Sequence, residues 1–222
     1  MTGVEDLTVG VLGGTGAQGK GLALRWAKAG LKVVIGSRSA ERAGEAASAI
    51  RAETGAEGVS GADNEACARQ ADVVLVAVPW DGHAELLSGL REALAGKVVV
   101  DCVNPLGFDK QGPFALPVAE GSAAQQAEAL LPDSRVTAAF HHVSAVKLAD
   151  LSLAEVACDV LVLGDDREAT DLVRALADAV PGFRGVYGGR LRNAHQVEAL
   201  TANLIAVNRR YKAHAGLRIT DI

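Results

Sequence analysis

This sequence predicts an α/β protein, a Rossmann-type doubly wound parallel sheet with a smaller, mostly helical C-terminal part. Two observations carry that prediction. Through the first half, short apolar runs alternate with stretches of helical spacing, the pattern of strands covered on both faces by crossover helices. The first such run, Leu7 to Leu12, then passes through glycines into a helix. That strand–turn–helix order is the one in which a glycine turn brings backbone N–H groups up to a pyrophosphate.

The elements follow in order. Ala17 to Ala29 is a helix with Leu22, Trp26 and Ala29 on one face and Gly30 as its stop. Leu31 to Ile35 is the second strand, Ala40 to Arg51 an alanine-rich helix, and Ala62 to Gln70 a short one. Asp72 to Val78 is almost wholly apolar, hence a central strand, and Pro79 ends it because proline cannot donate to the ladder. Asp81 caps a helix that runs to about Leu94, and Lys97 to Cys102 is another strand, closed by Asn104-Pro105. Gly107 to Gly121 breaks into Gly, Pro and Phe, a loop that separates a dinucleotide-binding domain, residues 1–119, from a smaller domain, residues 120–222. Within the latter come a helix (Ser122 to Leu131), two strands (Arg135 to Phe140 and Val156 to Leu163), a helix (Asp166 to Val180) and a long final helix from Leu191 to His214. Val197, Leu200, Leu204, Val207 and Tyr211 form a stripe on that last helix, suited to the core or to a homodimer interface.

Composition excludes several classes of function. With 222 residues, 49% of them hydrophobic, the chain can bury a substantial core. A formal net charge of −5 and only 4% aromatic residues argue against nucleic-acid binding. No apolar run approaches the ~20 residues that span a bilayer, and the N-terminus lacks the parts of a signal peptide, so a cytoplasmic location is expected. Cys67, Cys102 and Cys158 are widely spaced and form no CxxC pair, which reads as buried thiols. No HExxH, Cys/His spacing or carboxylate cluster suggests a metal, and no GxSxG suggests a serine nucleophile.

Ligands of open α/β sheets bind outside the carboxyl ends of the strands, so those ends were read for chemistry. Gly14, Gly16 and Gly19 fit the dinucleotide fingerprint, with Thr15 and Gln18 able to supplement its backbone donors. The second strand exits at Ser37-Arg38, with Arg42 one helical turn on. An NAD site places a carboxylate there for the ribose hydroxyls, whereas Ser and Arg suit a 2′-phosphate. The expected coenzyme is therefore NADP(H). The third end, Val78-Pro79-Trp80 followed by Asp81 and His83, places Trp80 either as a plug over the sheet or as a wall beside the nicotinamide. His83 reads as a polar helix residue rather than a catalyst, and stands with Val78, Pro79 and Trp80 among the candidate cofactor contacts. The fourth end is Asp101 to Pro105, with Asn104 at its tip. A second cluster, Phe140-His141-His142-Val143-Ser144-Ala145, reads as strand, whose alternation would pack one histidine and expose the other.

With these residues in view, the sequence resembles the F420-dependent NADP reductases. The features shared are GGTGAQGKGLALR (Gly13 to Arg25), the GSR exit, the VPW strand end, FHHVSA and LRNAHQVEALT (Leu191 to Thr201). The resemblance implies an NADP site with Thr15, Ser37, Arg38 and Arg42 around the phosphates. It also implies a pocket for the deazaflavin coenzyme F420 between the two parts of the chain, with His141 and Val143 near the ring. Hydride would pass directly between rings held ~3–3.5 Å apart, so no proton-transfer residue is obligatory, and His141 would act electrostatically if at all. Lys147, Arg190, Arg209 and Arg210 are candidates to receive the anionic tail of F420. One form of the family carries a proline where this chain has Ser144, and a bacterial subgroup resembles this chain in its double histidine.

Overall fold

The structure, a computed structural model, describes residues 3–222. In chain order it comprises β1 (Thr8–Leu12), α1 (Ala17–Lys28), β2 (Lys32–Ser37), α2 (Ala40–Thr54), β3 (Val59–Asp63), α3 (Asn64–Gln70), β4 (Val73–Val76), α4 (His83–Leu94), β5 (Val98–Asp101), β6 (Leu106–Asp109), β7 (Gly112–Ala115), α5 (Ala123–Leu130), β8 (Arg135–Ala138), α6 (Ala145–Ala149), β9 (Cys158–Gly164), α7 (Arg167–Asp178), β10 (Phe183–Gly189) and α8 (Ala194–Tyr211).

Eight strands form one sheet in the order β10-β9-β8-β5-β4-β1-β2-β3. From β3 to β8 every pairing is parallel; β9 runs antiparallel to β8, and β10 parallel to β9. The order reverses between β1 and β4, and a crevice opens at such a reversal. The sheet is buried on both faces. One face packs Val9, Val11 and Val100 against Leu22, Trp26, Ala47 and Val173; the other packs Val74, Val76 and Val99 against Leu87, Leu94 and Ala124. That two-sided burial is why β4 (VVLV) and β5 (VVVD) read as unbroken apolar runs.

Several expectations are corrected. β3 was not expected, and the short helix begins at Asn64 rather than Ala62, because VSGAD buries only its first residue and shows no strand pattern. The central strand stops at Val76, two residues before its apolar run ends. β6 and β7 pair as an antiparallel hairpin within the stretch taken for a loop. β10 (FRGVYGG) was masked by its three glycines. Phe140 to Val143 lies beyond the end of β8 in a turn, and Phe140 takes φ +66°. Both His141 and His142 are buried there, so neither is the exposed member of an alternating pair.

The chain after α8 is pinned by a single carboxylate. Asp159, whose side chain has no solvent exposure, accepts hydrogen bonds from Arg184 Nη2 (2.6 Å), Arg218 Nη1 (2.7 Å) and the Ile219 amide (2.6 Å). The hydrogen bonds from Arg184, ahead of opposing desolvation, hold its pKa far below the usual carboxylate range.

Candidate functional site

The glycine turn is shaped by close approach. Gly13, at φ +75°, takes the left-handed conformation, and a Cβ there would meet the Ala77 carbonyl oxygen at 2.4 Å. Gly14 and Gly19 are buried beneath the turn, and a Cβ on Gly19 would lie 2.9 Å from the Gly13 oxygen. Gly16 is the N-cap of α1 and supplies no side-chain cap. The first amides of α1 therefore have neither an intrahelical acceptor nor a capping side chain, which suits an anion.

These groups border a cleft of about 500 Å³ lined by Gly13, Thr15, Gly16, Ser37, Arg38, Arg42, Asn64, Ala77, Val78, Pro79, Gly82 and Leu86. Seven residues expected from sequence thus meet at one place: Thr15, Gly16, Ser37, Arg38, Arg42, Val78 and Pro79. Ser37 is buried at the end of β2, while Arg38 and Arg42 are exposed. Neither arginine's side chain makes a hydrogen bond or ion pair among the described residues, although the main-chain amide of Arg42 does bond the Ser39 cap. Asn64, which sequence reasoning missed, lines the same cleft, and its Oδ1 is buried without a partner. It directly follows β3, so reading VSGAD as a strand would have placed it at a strand end.

Asn104, His141 and Val143 gather in a second group. Asn104 Nδ2 and Thr201 Oγ1 both donate to the His141 carbonyl, at 3.0 and 3.1 Å. Both ring nitrogens of His141 and Oδ1 of Asn104 are buried without partners. Burial pushes the His141 pKa down to about 4, so the ring is neutral at physiological pH. Val143 packs into the core, and His142 turns its Nε2 to the Asp159 carbonyl at 2.7 Å. Gln18 joins the two groups, its Nε2 donating to the Phe140 carbonyl at 3.1 Å.

His83 does not line the cleft; it lies behind the second group, where its partner Asp101 is close enough for its charge to act on His141. The His83 ring is fully buried, with Nε2 2.6 Å from Asp101 Oδ2 and Nδ1 3.0 Å from Gln126 Oε1. The Gln126 amide donates to Glu120, which leaves its oxygen facing the imidazole. Both ring nitrogens thus face acceptors, an arrangement that favours the protonated ring. Burial opposes that charge, but the hydrogen bond and charge of Asp101, reinforced by Gln126 and Glu198, outweigh it and raise the pKa. Glu198 lies nearby on α8 and accepts the Ala123 and Ala124 amides, at 3.0 and 3.2 Å. Burial raises its pKa to about 7. Trp80 is half-buried and tilts over the His83 ring, with centroids 5.4 Å apart.

Among the tail candidates, Arg190 pairs with Asp165 at 3.0 Å, Lys147 is half-buried, and Arg209 and Arg210 are exposed. Ser144 has φ −72°, close to the angle a proline imposes, and it N-caps α6. Cys67, Cys102 and Cys158 are free and buried. Among the described residues no group of His, Cys, Asp and Glu is placed to hold a metal, and no helix is long and apolar enough to cross a membrane.

Fold, uncapped helix and unpaired arginines together define a Rossmann-type protein with a cleft suited to an anionic nucleotide. Comparison with known proteins narrows this. The family described as NADP oxidoreductase, coenzyme F420-dependent, matches residues 8–105. The F420-dependent NADP reductase of Methanothermobacter marburgensis is 40% identical over 97% of this chain and 99% of its own length. That of Methanocaldococcus jannaschii is 38% identical over 97% of the chain and 99% of its own length. A crystal structure from Arthrobacter sp. FB24, itself assigned as an F420-dependent NADP-reductase, superposes with a TM-score of 0.79 at 26% identity, covering 97% of this chain and 100% of that one. This chain belongs to the F420-dependent NADP reductase family.

Proposed function

We propose that this protein is an oxidoreductase that transfers a hydride directly between NADP(H) and coenzyme F420. The observation that carries the reading is the pairing of an uncapped α1 N-terminus with two unpaired arginines in one cleft. Backbone amides of the turn hold the pyrophosphate, while Ser37, Arg38 and Arg42 hold the 2′-phosphate. Val78 and Pro79 border the nicotinamide end. On the other side the partnerless polar atoms of His141 and Asn104 are suited to receive the deazaflavin. When bound, the two coenzymes supply the hydride donor and acceptor, and the protein supplies alignment and exclusion of water. A neutral His141 adds no positive charge beside the ring.

Residues 1–119 serve as the NADP-binding part, and residues 120–222 complete the deazaflavin pocket and carry a subunit contact. A homodimer is supported by Tyr211 and Val207 on α8, and by Phe108 and Phe114 on the hairpin, all exposed. Three free thiols support a cytoplasmic location. The deciding assay mixes purified protein with F420 and either NADPH or NADH and follows the deazaflavin absorbance. Rapid reduction by NADPH, with NADH, free flavins and imines idle, is expected. An enzyme that leaves F420 untouched would overturn the reading, as would one indifferent to the 2′-phosphate. Sedimentation of the purified protein tests the dimer.

A further inference from the structure

We infer that α1 sets the spacing between the two coenzyme sites and that Arg25 is a positioning residue for the deazaflavin side. The inference rests on the function proposed above and deepens it.

Arg25 is 2% exposed, and its guanidinium meets main-chain carbonyls only. Nε donates to Leu148 (2.9 Å), Nη1 to Leu153 (2.9 Å), and Nη2 to Lys147 (2.8 Å) and Asp150 (2.5 Å). Three of these carbonyls lie at the C-terminal end of the five-residue helix α6, or just beyond it, where helices leave acceptors unsatisfied. Arg25 therefore caps α6 from another element. Its burial costs desolvation and depresses its pKa, a cost that an apolar side chain packed there would not carry. What the guanidinium adds is position, because a planar fork bonded to several carbonyls fixes a backbone in place.

The other end of α6 is held by the same helix. Gln18 donates to the Phe140 carbonyl, and Trp26 meets the Phe140 ring edge-on, with centroids 5.6 Å apart. Between them Gly21 permits contact, since a Cβ there would lie 2.7 Å from Leu148 Cβ. Gln18, Gly21 and Arg25 fall at i, i+3 and i+7 on one face of α1. That face docks the segment from Phe140 to Leu153, which contains His141 and Val143, while the N-terminus of α1 borders the phosphate cleft. One rigid element thus spans both sites. The KGLALR half of the glycine motif, which does not touch the cleft, serves this docking.

The test uses full-length Arg25→Met, Arg25→Lys and Gly21→Ala. NADPH and F420 affinities are measured by fluorescence titration, the F420 KM and kcat by steady-state assay, and exchange of the 141–153 amides by hydrogen–deuterium exchange without coenzyme. Displacing a reacting partner by ~1 Å costs on the order of 100-fold. Accordingly, Arg25→Met is expected to weaken F420 binding about tenfold or more and lower kcat, with NADPH affinity held within about twofold. Arg25→Lys should fall between Arg25→Met and wild type, and Gly21→Ala should reproduce the pattern by forcing α6 away from the same face of α1. Amide exchange should rise at 141–153 and stay unchanged at 13–19. Parallel loss of both affinities would overturn the inference, as would a lower Tm with both coenzymes bound normally. Should Arg25→Met fail to fold, the two milder variants decide. A wild-type enzyme that does not bind F420 would overturn the proposed function and this inference together; wild-type binding with all three variants unaffected would overturn the inference alone.

Discussion

On the phosphate side of the cleft, Thr15, Gly16, Arg38 and Arg42 stand exposed, and the two arginines' charges are unpaired among the described residues. On the histidine side, His141, His142, His83, Asp101 and Glu198 are buried, and burial or neighbouring charge shifts the titration of the three histidines and of Glu198. An exposed cation awaiting an anion can be removed without disturbing the fold. A buried polar group is part of the fold as well as of the site. Substitutions should therefore change ligand affinity alone on the first side, and stability together with ligand geometry on the second.

The largest effect that can break this contrast is at Asp101. Asp101→Ala leaves the buried His83 ring without its carboxylate partner and frees the Val103 amide that Asp101 Oδ1 accepts at 3.0 Å. Breaking a buried pair from one side costs ~3–5 kcal/mol, which lowers Tm by roughly 6–20 °C in a chain of this size. The double variant Asp101→Ala/His83→Leu should recover part of that loss, since no buried ring is then left without its partner. The sign with pH follows from the raised His83 pKa. The pair's contribution is complete below the ordinary histidine value of 6.5 and is lost as pH rises through the higher folded value. Thermal melts of the two variants across that range check both claims. A Tm for Asp101→Ala within a few degrees of wild type would show that the buried network is not held by charge.

His141 bends the other way. Its folded pKa near 4 lies below the ordinary 6.5, so the native state resists protonation there. Its contribution is complete above pH 6.5 and is lost as pH falls toward 4, at up to about 1.4 kcal/mol per pH unit for one proton. Glu198 opposes this over part of the range, because its raised pKa favours stability at low pH. The difference between wild type and His141→Asn isolates the histidine. The variant should gain on wild type as pH falls from 6.5 to 4, as read from denaturant midpoints. A difference that does not change with pH would mean that His141 is not buried as a neutral ring.

What the sequence revealed divides along the same line. The phosphate side is built from residues 13–42, one strand–turn–helix–strand run, so spacing alone locates the turn and both arginines. The histidine side is assembled from residues around 83, 101–104, 141 and 198–201, which only the sheet brings together. Local pattern therefore marks Asn104 at a strand end and His141 in a cluster but not that they meet, and only the resemblance implied a ring beside His141. The fold divides similarly. Central strands such as VVLV and VVVD announce themselves because both faces are buried. β3 and β10 lie at the two edges of the sheet and lack that signal. The hairpin β6–β7 turns Phe108 and Phe114 toward solvent, so its aromatic residues read as loop. FHHV reads as strand because it prolongs the run of β8, whereas the chain turns at Phe140, which has φ +66° and contacts Gln18 and Trp26 of α1.

On the phosphate side the contrast sharpens at Arg38. Its side chain has no partner among the described residues, so removing it should leave the unliganded protein's stability within about 0.5 kcal/mol of wild type. A hydrogen bond to a charged group contributes ~1.5–3 kcal/mol, so Arg38→Ala should weaken NADPH by roughly 10- to 150-fold. NADH affinity should stay as it is. Titration of both coenzymes against wild type and variant checks this, and equal losses for the two would show that the arginine does not read the 2′-phosphate.

The smallest expected effect lies at Ser144, on the rim of the histidine side, where one form of the family has a proline. With φ already at −72°, residue 144 has the backbone angle that a proline ring imposes. Proline at a compatible site stabilises by ~0.4–1 kcal/mol through the unfolded chain. The lost N-cap opposes this only weakly, because its hydroxyl lies 3.4 Å from the Lys147 amide, too long for a strong bond. Ser144→Pro should therefore shift stability by less than about 1 kcal/mol and leave F420 affinity unchanged. A tenfold change in F420 affinity would show that the turn's shape depends on residue 144. An unchanged affinity would locate control of the turn in the α1 contacts to Phe140 and in the Arg25 cap on α6, at the far end of the segment from the residue replaced.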